Sequence, residues 1–259
     1  MANKSESQAI GVEAETYFFR ATAKEVYTAV LLDIDGEKLT WDGDTAKATV
    51  FAIAEAADGR QTRPVESSVE LERDENGKVV YDFPFQLRPG DHSLYVGVLD
   101  DESKTVGTRI LPFEVPDFDK EGLVSSSVVV FTDTEQVKDL AGRPGHSFQF
   151  GDTKFTLKPG DKPTYKNTDT LNVWFFVYGF GLDESGQANL TEQCVFLNDG
   201  FRHSKTKAKP LRTEKDMGFV DTGIPLASFP PGNYKAEITI TDNVTEETLT
   251  KEVEFIVVE

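Results

Sequence analysis

Residues 89–115 and residues 231–257 carry the same alternation of apolar and polar side chains and align without a gap. Side chains two residues apart point to the same face of a strand, so each stretch predicts a hairpin with one buried face. A hairpin that is used twice predicts two domains of one kind. The identical pairs are Pro89/Pro231, Gly90/Gly232, Asp100/Asp242, Thr108/Thr250, Phe113/Phe255 and Val115/Val257.

The rest of the chain is a series of short apolar runs that are separated by turn residues. This spacing is typical of antiparallel sandwiches. We predict an all-β protein of two tandem immunoglobulin-like or fibronectin III-like β-sandwich domains, residues 1–116 and 117–259. Among the single strands, we expect residues 46–57 to be buried on both faces. Residues 123–131 are predicted as one strand, and residues 171–180 as a strand that is covered on both sides.

Three side chains are predicted to fix these sandwiches. Tyr234 opens the penultimate strand after Pro230-Pro231-Gly232, which predicts a tyrosine corner whose hydroxyl bonds back to the backbone. His92 stands at the equivalent position of the first repeat and is expected to play a similar polar role. Trp174 is expected to be the core tryptophan of the second sandwich.

Length and charge exclude several classes of protein. The 259 residues have room for two domains that each bury a core. A net charge of −18 disfavours a nucleic acid partner, because binding to phosphates depends on Lys and Arg. No apolar run approaches the roughly 18 residues of a membrane span, and the polar N-terminal residues do not read as a signal peptide. We therefore predict no nucleic acid partner and no membrane insertion.

Catalytic chemistry has no recognisable pattern in this sequence. Cys194 is the only cysteine, and it alternates with Phe196, which predicts a buried and inert thiol. The three histidines are not at metal-ligand spacing, and no nucleophile elbow occurs. We predict that the protein is not an enzyme and has no catalytic, cofactor-binding or metal-binding residues.

Acidic, basic and aromatic clusters each allow a binding function or an ordinary structural role. The acidic groups Asp33-x-Asp35, Asp100-Asp101-Glu102 and Asp242-Asn243 could bind calcium, whereas Asp also starts turns by bonding nearby backbone. The aromatic face of Trp174, Phe176, Tyr178 and Phe180 could stack on a sugar or be buried. The basic stretch could dock an acidic surface or be solvated, and comprises Arg202, Lys205, Lys207, Lys209, Arg212 and Lys215.

Packing and turn residues over most of the chain resemble the C-terminal β-sandwich region of exported bacterial proteins of the von Willebrand factor A-related and GWxTD-containing families. The resemblance implies an accessory module of a longer exported protein. Neither the Asp-x-Ser-x-Ser metal motif nor the GWxTD motif occurs here, so no metal-binding role is carried over to any residue. The similar residues are Phe148-x-Phe150-Gly151, Leu171-x-Val173-x-Phe175-x-Val177-Tyr178-Gly179, Leu226-x-x-Phe229-x-Pro231-Gly232-x-Tyr234, Thr241-Asp242, Val253-x-Phe255-x-Val257, and Pro89-Gly90 through Glu114-Val115-Pro116-Asp117-Phe118 with Gly122-Leu123-x-x-Ser126.

From these observations we predict a non-catalytic structural or protein-binding module of an exported bacterial protein, located outside the cell or in the periplasm. Its edge strands are candidates for strand addition to a protein partner. Two alternatives stay open, namely a carbohydrate-binding module that uses exposed aromatic side chains and a calcium-stabilised adhesin-like pair of domains. The sequence leaves the identity of the partner and the oligomeric state undetermined.

Overall fold

The computed structural model describes residues 6–74, 77–138, 142–158, 160 and 162–259. The contacts between residues divide the chain into two compact units. Unit 1 comprises Met1–Asp117 and Gln136–Lys154, and unit 2 comprises Phe118–Glu135 and Phe155–Glu259. The described residues form strands and one short 3-10 helix, Gly36–Lys38, whose N-cap is Asp35. The protein is therefore all-β, as the sequence predicts.

Eight strands build the first part of unit 1. They are β1 Val12–Arg20, β2 Val26–Ile34, β3 Trp41–Asp42, β4 Thr45–Ala56, β5 Val65–Glu72, β6 Val79–Leu87, β7 Gly90–Asp100 and β8 Val106–Val115. One sheet has the order β1-β2-β6, and the other has β3-β4-β7-β8 with β5 paired to β4. Pro84 lies in β6, at the edge of its sheet, where the missing N–H costs no ladder bond.

The remaining strands follow in chain order. They are β9 Val124–Ser125, β10 Val129–Gln136, β11 Gln149–Phe150, β12 Thr153–Leu157, β13 Thr164–Lys166, β14 Thr170–Tyr178, β15 Leu190–Asn198, β16 Phe201–Lys205, β17 Lys209–Pro210, β18 Arg212–Glu214, β19 Met217–Pro225, β20 Gly232–Asp242 and β21 Thr248–Val258.

Unit 2 repeats the strand order of unit 1. One sheet contains the order β12-β10-β14-β19-β18, with β9 paired to β14, and β13-β21-β20-β15-β16 form the other, with β17 also paired to β15. The order β10-β14-β19 matches β1-β2-β6, and β16-β15-β20-β21 matches β5-β4-β7-β8. The three-strand order and the four-strand order that the two units share are those of a Greek-key sandwich of the immunoglobulin and fibronectin III class.

The two repeated hairpins also share their register. Gly90 lies opposite Val115 in the first hairpin, and Gly232 lies opposite Val257 in the second. Val96 and Ile238 are both buried, as the alternation predicts. The two turns agree in detail, because Lys104 and Glu246 occupy the same position and both have a positive φ, of 60° and 63°.

Two strand predictions are wrong in part. The stretch 46–57 does form a strand, but β4 is buried on one face only: Val50 is fully buried and Phe51 is 36% exposed. Each sheet of a sandwich packs one face on the core. The other face of β4, which carries Phe51, stays partly open to solvent. The predicted strand 123–131 is interrupted between β9 and β10, where the Ser126 hydroxyl accepts a hydrogen bond from the Phe176 N–H.

The core of unit 2 lies between its two sheets. Alternate residues of β14 enter it, among them Val173 and Phe175, and they pack with Phe196 and Ile238 of the opposite sheet. Trp174 is buried, yet it lies on the other face of β14, where its ring contacts Phe155 and Phe176. The prediction of Trp174 as the tryptophan of the inter-sheet core is therefore wrong, whereas burial of both faces of β14 is confirmed.

Candidate protein-binding edge

Asp100 and Asp242 end equivalent strands and are fully buried. The Asp100 carboxylate accepts hydrogen bonds from the backbone N–H groups of Glu102 and Ser103 in its own turn, at 3.0 and 2.7 Å, and from Thr40. The Asp242 carboxylate accepts from the N–H of Val244 at 2.9 Å and from the N–H of Gly181 at 2.7 Å. Both carboxylates therefore tie a hairpin turn to a distant segment of the same unit.

These contacts also determine how the two carboxylates titrate. Burial alone would raise the pKa of Asp100 and of Asp242, but their hydrogen-bond donors together outweigh it and lower both pKa values. The carboxylate oxygens face N–H and O–H donors, which confirms the turn-forming role. Within the described part of the chain, no three Asp, Glu, His or Cys side chains meet as metal ligands would.

The tyrosine corner is present in unit 2. The Tyr234 hydroxyl donates to the Pro230 carbonyl at 2.8 Å and accepts from the Asn198 side chain at 3.1 Å. His92 takes the equivalent position in unit 1, where its Nδ1 lies 2.9 Å from the Gly90 carbonyl oxygen. The ring of His92 stacks on Phe113 as that of Tyr234 stacks on Phe255. His92 thus keeps the ring packing of the corner, but it contacts a carbonyl two residues earlier in the chain, whereas Tyr234 contacts one four residues earlier.

Cys194 is fully buried, and burial raises the pKa of its thiol to about 12, so the thiol stays protonated at neutral pH. Next to it on the same face of β15 lies Glu192, which is 1% exposed. Its carboxylate accepts a hydrogen bond from the Thr222 hydroxyl and lies 3.5 Å from the Lys209 ammonium group. Sequence analysis missed Glu192, although it alternates in phase with Cys194 and Phe196.

A cleft of about 260 Å³ lies beside this ion pair, and its lining includes Trp174, Glu192, Arg212 and Phe219. Trp174 is only 7% exposed, and the Arg212 guanidinium group lies 4.2 Å from the centre of the Phe219 ring. The aromatic face that was a candidate for sugar stacking is therefore largely covered. Nothing in this geometry presents Trp174 as an open platform.

Asp82 of unit 1 is a partly buried acid that the sequence did not reveal. Its carboxylate accepts a hydrogen bond from the Ser147 N–H at 2.5 Å, and its carbonyl accepts one from the Gly145 N–H at 2.7 Å. Burial raises the pKa of Asp82, and the Ser147 donor opposes this effect. The Tyr27 hydroxyl donates to the Ser147 carbonyl at 3.0 Å, so these contacts anchor residues 142–150 within unit 1.

In each unit, part of one sheet edge is covered, namely that of β8 in unit 1 and that of β21 in unit 2. In unit 1, residues 6–8 lie along β8: Gln8 bridges Gly107, and the Thr108 N–H donates to the Ser7 carbonyl at 2.9 Å. In unit 2, β13 pairs in parallel with β21, with Thr164 opposite Ile256. Backbone groups at the start of β8 and at the end of β21 are therefore engaged.

The opposite edge of each sheet is open. Strand β5 pairs with β4, and β16 pairs with β15; among the described residues neither forms a ladder with a second strand, although β5 also contacts β6. An unpaired edge offers N–H and C=O groups to a further strand. Each of these two edges can receive a strand of a partner.

Strand β16 combines an open edge with unusual side chains. It begins after the turn Asp199-Gly200, in which both residues have a positive φ, as a tight hairpin requires. Phe201, the first residue of β16, is 80% exposed. Arg202 and Lys205 are exposed as well and begin the basic stretch of this acidic chain. The later members Lys209 and Arg212 contact Glu192 and Phe219 instead.

No protein-family model and no curated protein matches this chain. Among solved structures, a Northeast Structural Genomics Consortium target is 17% identical with a TM-score of 0.29, covering 43% of this chain and 88% of its own. Fibronectin(III)-like modules of Clostridium thermocellum CbhA are 12% identical with a TM-score of 0.22, covering 96% and 93%. Tandem Ig domains of titin are 5% identical with a TM-score of 0.22, covering 95% and 96%.

Likenesses at these scores do not bear on function, and the fold class follows from the strand order itself. Among the residues that the structure describes, no helix has the length and hydropathy of a membrane span.

Proposed function

We propose that this chain is a non-catalytic protein-binding module of an exported bacterial protein, and that it binds by adding a strand of its partner to β16. The open edge of β16 with the exposed Phe201 carries this proposal. Backbone hydrogen bonds along an edge supply affinity, and pockets or exposed side chains supply selectivity. Phe201 is a large apolar group beside that edge, where a partner strand would cover it.

The charge of the edge indicates the chemistry of the partner. Arg202 and Lys205 lie on β16, while the chain as a whole has a net charge of −18. Complementary charge speeds association and disfavours wrong partners. The partner strand is therefore acidic on the face that meets these two side chains.

The resemblance to the β-sandwich regions of von Willebrand factor A-related and GWxTD-containing proteins supports a location outside the cytoplasm, in the periplasm or the extracellular space. An accessory module of such a protein needs a binding surface and no reaction centre. The buried, protonated Cys194 is consistent with a role without catalysis.

A phage-displayed library of random peptides, selected on the immobilised full chain, tests this function. We expect extended acidic peptides, and we expect Phe201→Ser to weaken their binding by at least about fivefold. Leu182→Ser is the matched control, because Leu182 is 55% exposed and lies outside the strands. Selected peptides that bind Phe201→Ser as tightly as the unaltered chain would show that β16 is not the binding edge.

A further inference from the structure

We propose that the strand received by β16 is β5 of a second copy of this chain. This inference rests on the proposed function, since it names the partner of the same edge. Strands β5 and β16 are the equivalent outer strands of the two repeated sheets, and each has one side on which no described strand forms a ladder with it. The two edges carry opposite charges, and we therefore expect them to pair with each other.

Strand β5 presents an acidic face to solvent. Its residues alternate, with Leu71 buried and Glu66, Glu70 and Glu72 exposed. Lys47 lies across from Glu70 on β4 and is the neighbour on the inner side of that acid. A strand added at the outer side of β5 would therefore meet a row of carboxylates.

Strand β16 presents the opposite charge with a matching spacing. Arg202 lies opposite Leu197, and Lys205 lies opposite Val195, because an irregularity in β16 adds a residue between them. The two basic side chains thus occupy neighbouring positions on one face of the sheet, as Glu70 and Glu72 do on β5. A strand ladder between β16 and β5 can therefore place two pairs of opposite charges side by side.

The same charges prevent each edge from pairing with itself. Two β5 strands would bring carboxylates together, and two β16 strands would bring cationic groups together, and like charges directly across a ladder are destabilising. Charged edge strands are a common protection against aggregation, but opposite charges on two edges do not protect them from one another. Contact of β5 with β16 is head-to-tail, so it produces rings or open chains of copies.

Sedimentation velocity of the full chain over a range of concentrations tests the proposal at one fixed salt concentration. The variant Glu70→Lys/Glu72→Lys makes both edges basic, and Arg202→Glu/Lys205→Glu makes both acidic. We expect concentration-dependent association of the unaltered chain, weakened by at least about tenfold in each variant. Combining all four substitutions, or mixing the two variants, restores opposite edges and should restore association.

A control separates the edges from the overall charge. Glu102→Lys/Glu114→Lys changes the net charge by the same amount as the β5 variant, at exposed positions outside both edges. We expect it to associate at least as strongly as the unaltered chain, since it lowers the net negative charge. A chain that stays monomeric at every concentration, or a four-fold variant that does not associate, overturns the assignment of β5.

Self-association of the chain and peptide binding to β16 are measured separately, so one can fail without the other. If the chain is monomeric and acidic peptides still bind β16 in a Phe201-dependent manner, then β16 is a binding edge whose partner is another protein. If neither association nor peptide binding depends on β16, both proposals are wrong. Far-UV circular dichroism of each variant shows whether it keeps the β fold, since only exposed side chains are changed.

Discussion

Asp100 and Asp242 hold the turns of two equivalent hairpins through the same set of contacts. Each buried carboxylate accepts from backbone N–H groups of its own turn, and each reaches one further N–H, that of Thr40 or Gly181, elsewhere in its unit. A short side chain with two acceptor oxygens is needed for this double task. The repeat therefore has Asp at both positions because each Asp stabilises the folded turn.

Replacement of Asp242 by Asn tests this role through its pH dependence. The folded-state pKa of Asp242 lies below 3.8, so its stabilising effect is present at neutral pH and is lost as the pH falls through that lowered pKa. We expect Asp242→Asn to cost about 1–3 kcal/mol at neutral pH and progressively less in acid. Urea unfolding, followed by Trp174 fluorescence in a Trp41→Phe background, measures this difference in unit 2.

A cost that stays constant from neutral pH to well below 3.8 would contradict a role for the charged carboxylate. Asp82 titrates in the opposite sense, because its raised pKa makes its ionised form unfavourable in the folded state. Its contribution belongs to unit 1, which is why the measurement follows a tryptophan of unit 2.

Removal of calcium should leave this protein unchanged. The carboxylates of Asp100 and Asp242 are already occupied by hydrogen-bond donors, and a ligand that binds only the folded state would raise the melting temperature. We expect the same melting temperature with EDTA and with excess Ca²⁺. A rise of several degrees in calcium that Asp242→Asn abolishes would restore the calcium-stabilised alternative.

Two buried tyrosines provide a matched test of the corner. The Tyr234 hydroxyl has two hydrogen-bond partners, whereas the buried Tyr165 hydroxyl has none among the residues that the structure describes. We expect Tyr234→Phe to lower the free energy of unfolding by about 1 kcal/mol, and Tyr165→Phe to be neutral or stabilising. Urea unfolding of the two variants checks this order, and equal losses would remove the special role of Tyr234.

The ion pair of Glu192 and Lys209 should respond unequally to loss of its two members. Glu192 is buried, while the Lys209 side chain is half exposed and can return to water. We expect Lys209→Met to cost about 1–3 kcal/mol, because it leaves a carboxylate buried without its cation, and Glu192→Met to cost less. Thermal or urea unfolding decides this, and a larger loss for Glu192→Met would contradict it.

The sequence predicted what depends on local alternation. Val96 and Ile238 are buried because their neighbours two residues away are apolar as well, and Tyr234 forms its corner with a carbonyl only four residues earlier. The burial of β4 was misjudged because its many alanines look equally apolar on either face. In the structure, Val50 faces the core and Phe51 does not.

What the sequence left open depends on distant partners. Glu192 occupies the position in β15 that Val50 occupies in β4 of unit 1. This equivalence follows from the pairing of β15 with β20 and of β4 with β7, which the sequence alone does not show. Asp82 meets Ser147 from a segment far along the chain. The open edges of β5 and β16 likewise follow from which strands pair, which no local pattern determines.

Hydrogen exchange of the full chain at low and high protein concentration tests the central claim most directly. If β16 of one copy receives β5 of another, amides of Val65–Glu72 and Phe201–Lys205 should exchange more slowly at high concentration, while the central strands β7 and β20 stay unchanged. Exchange of β5 and β16 that is the same at every concentration, in a chain that nevertheless associates, would contradict pairing through these edges.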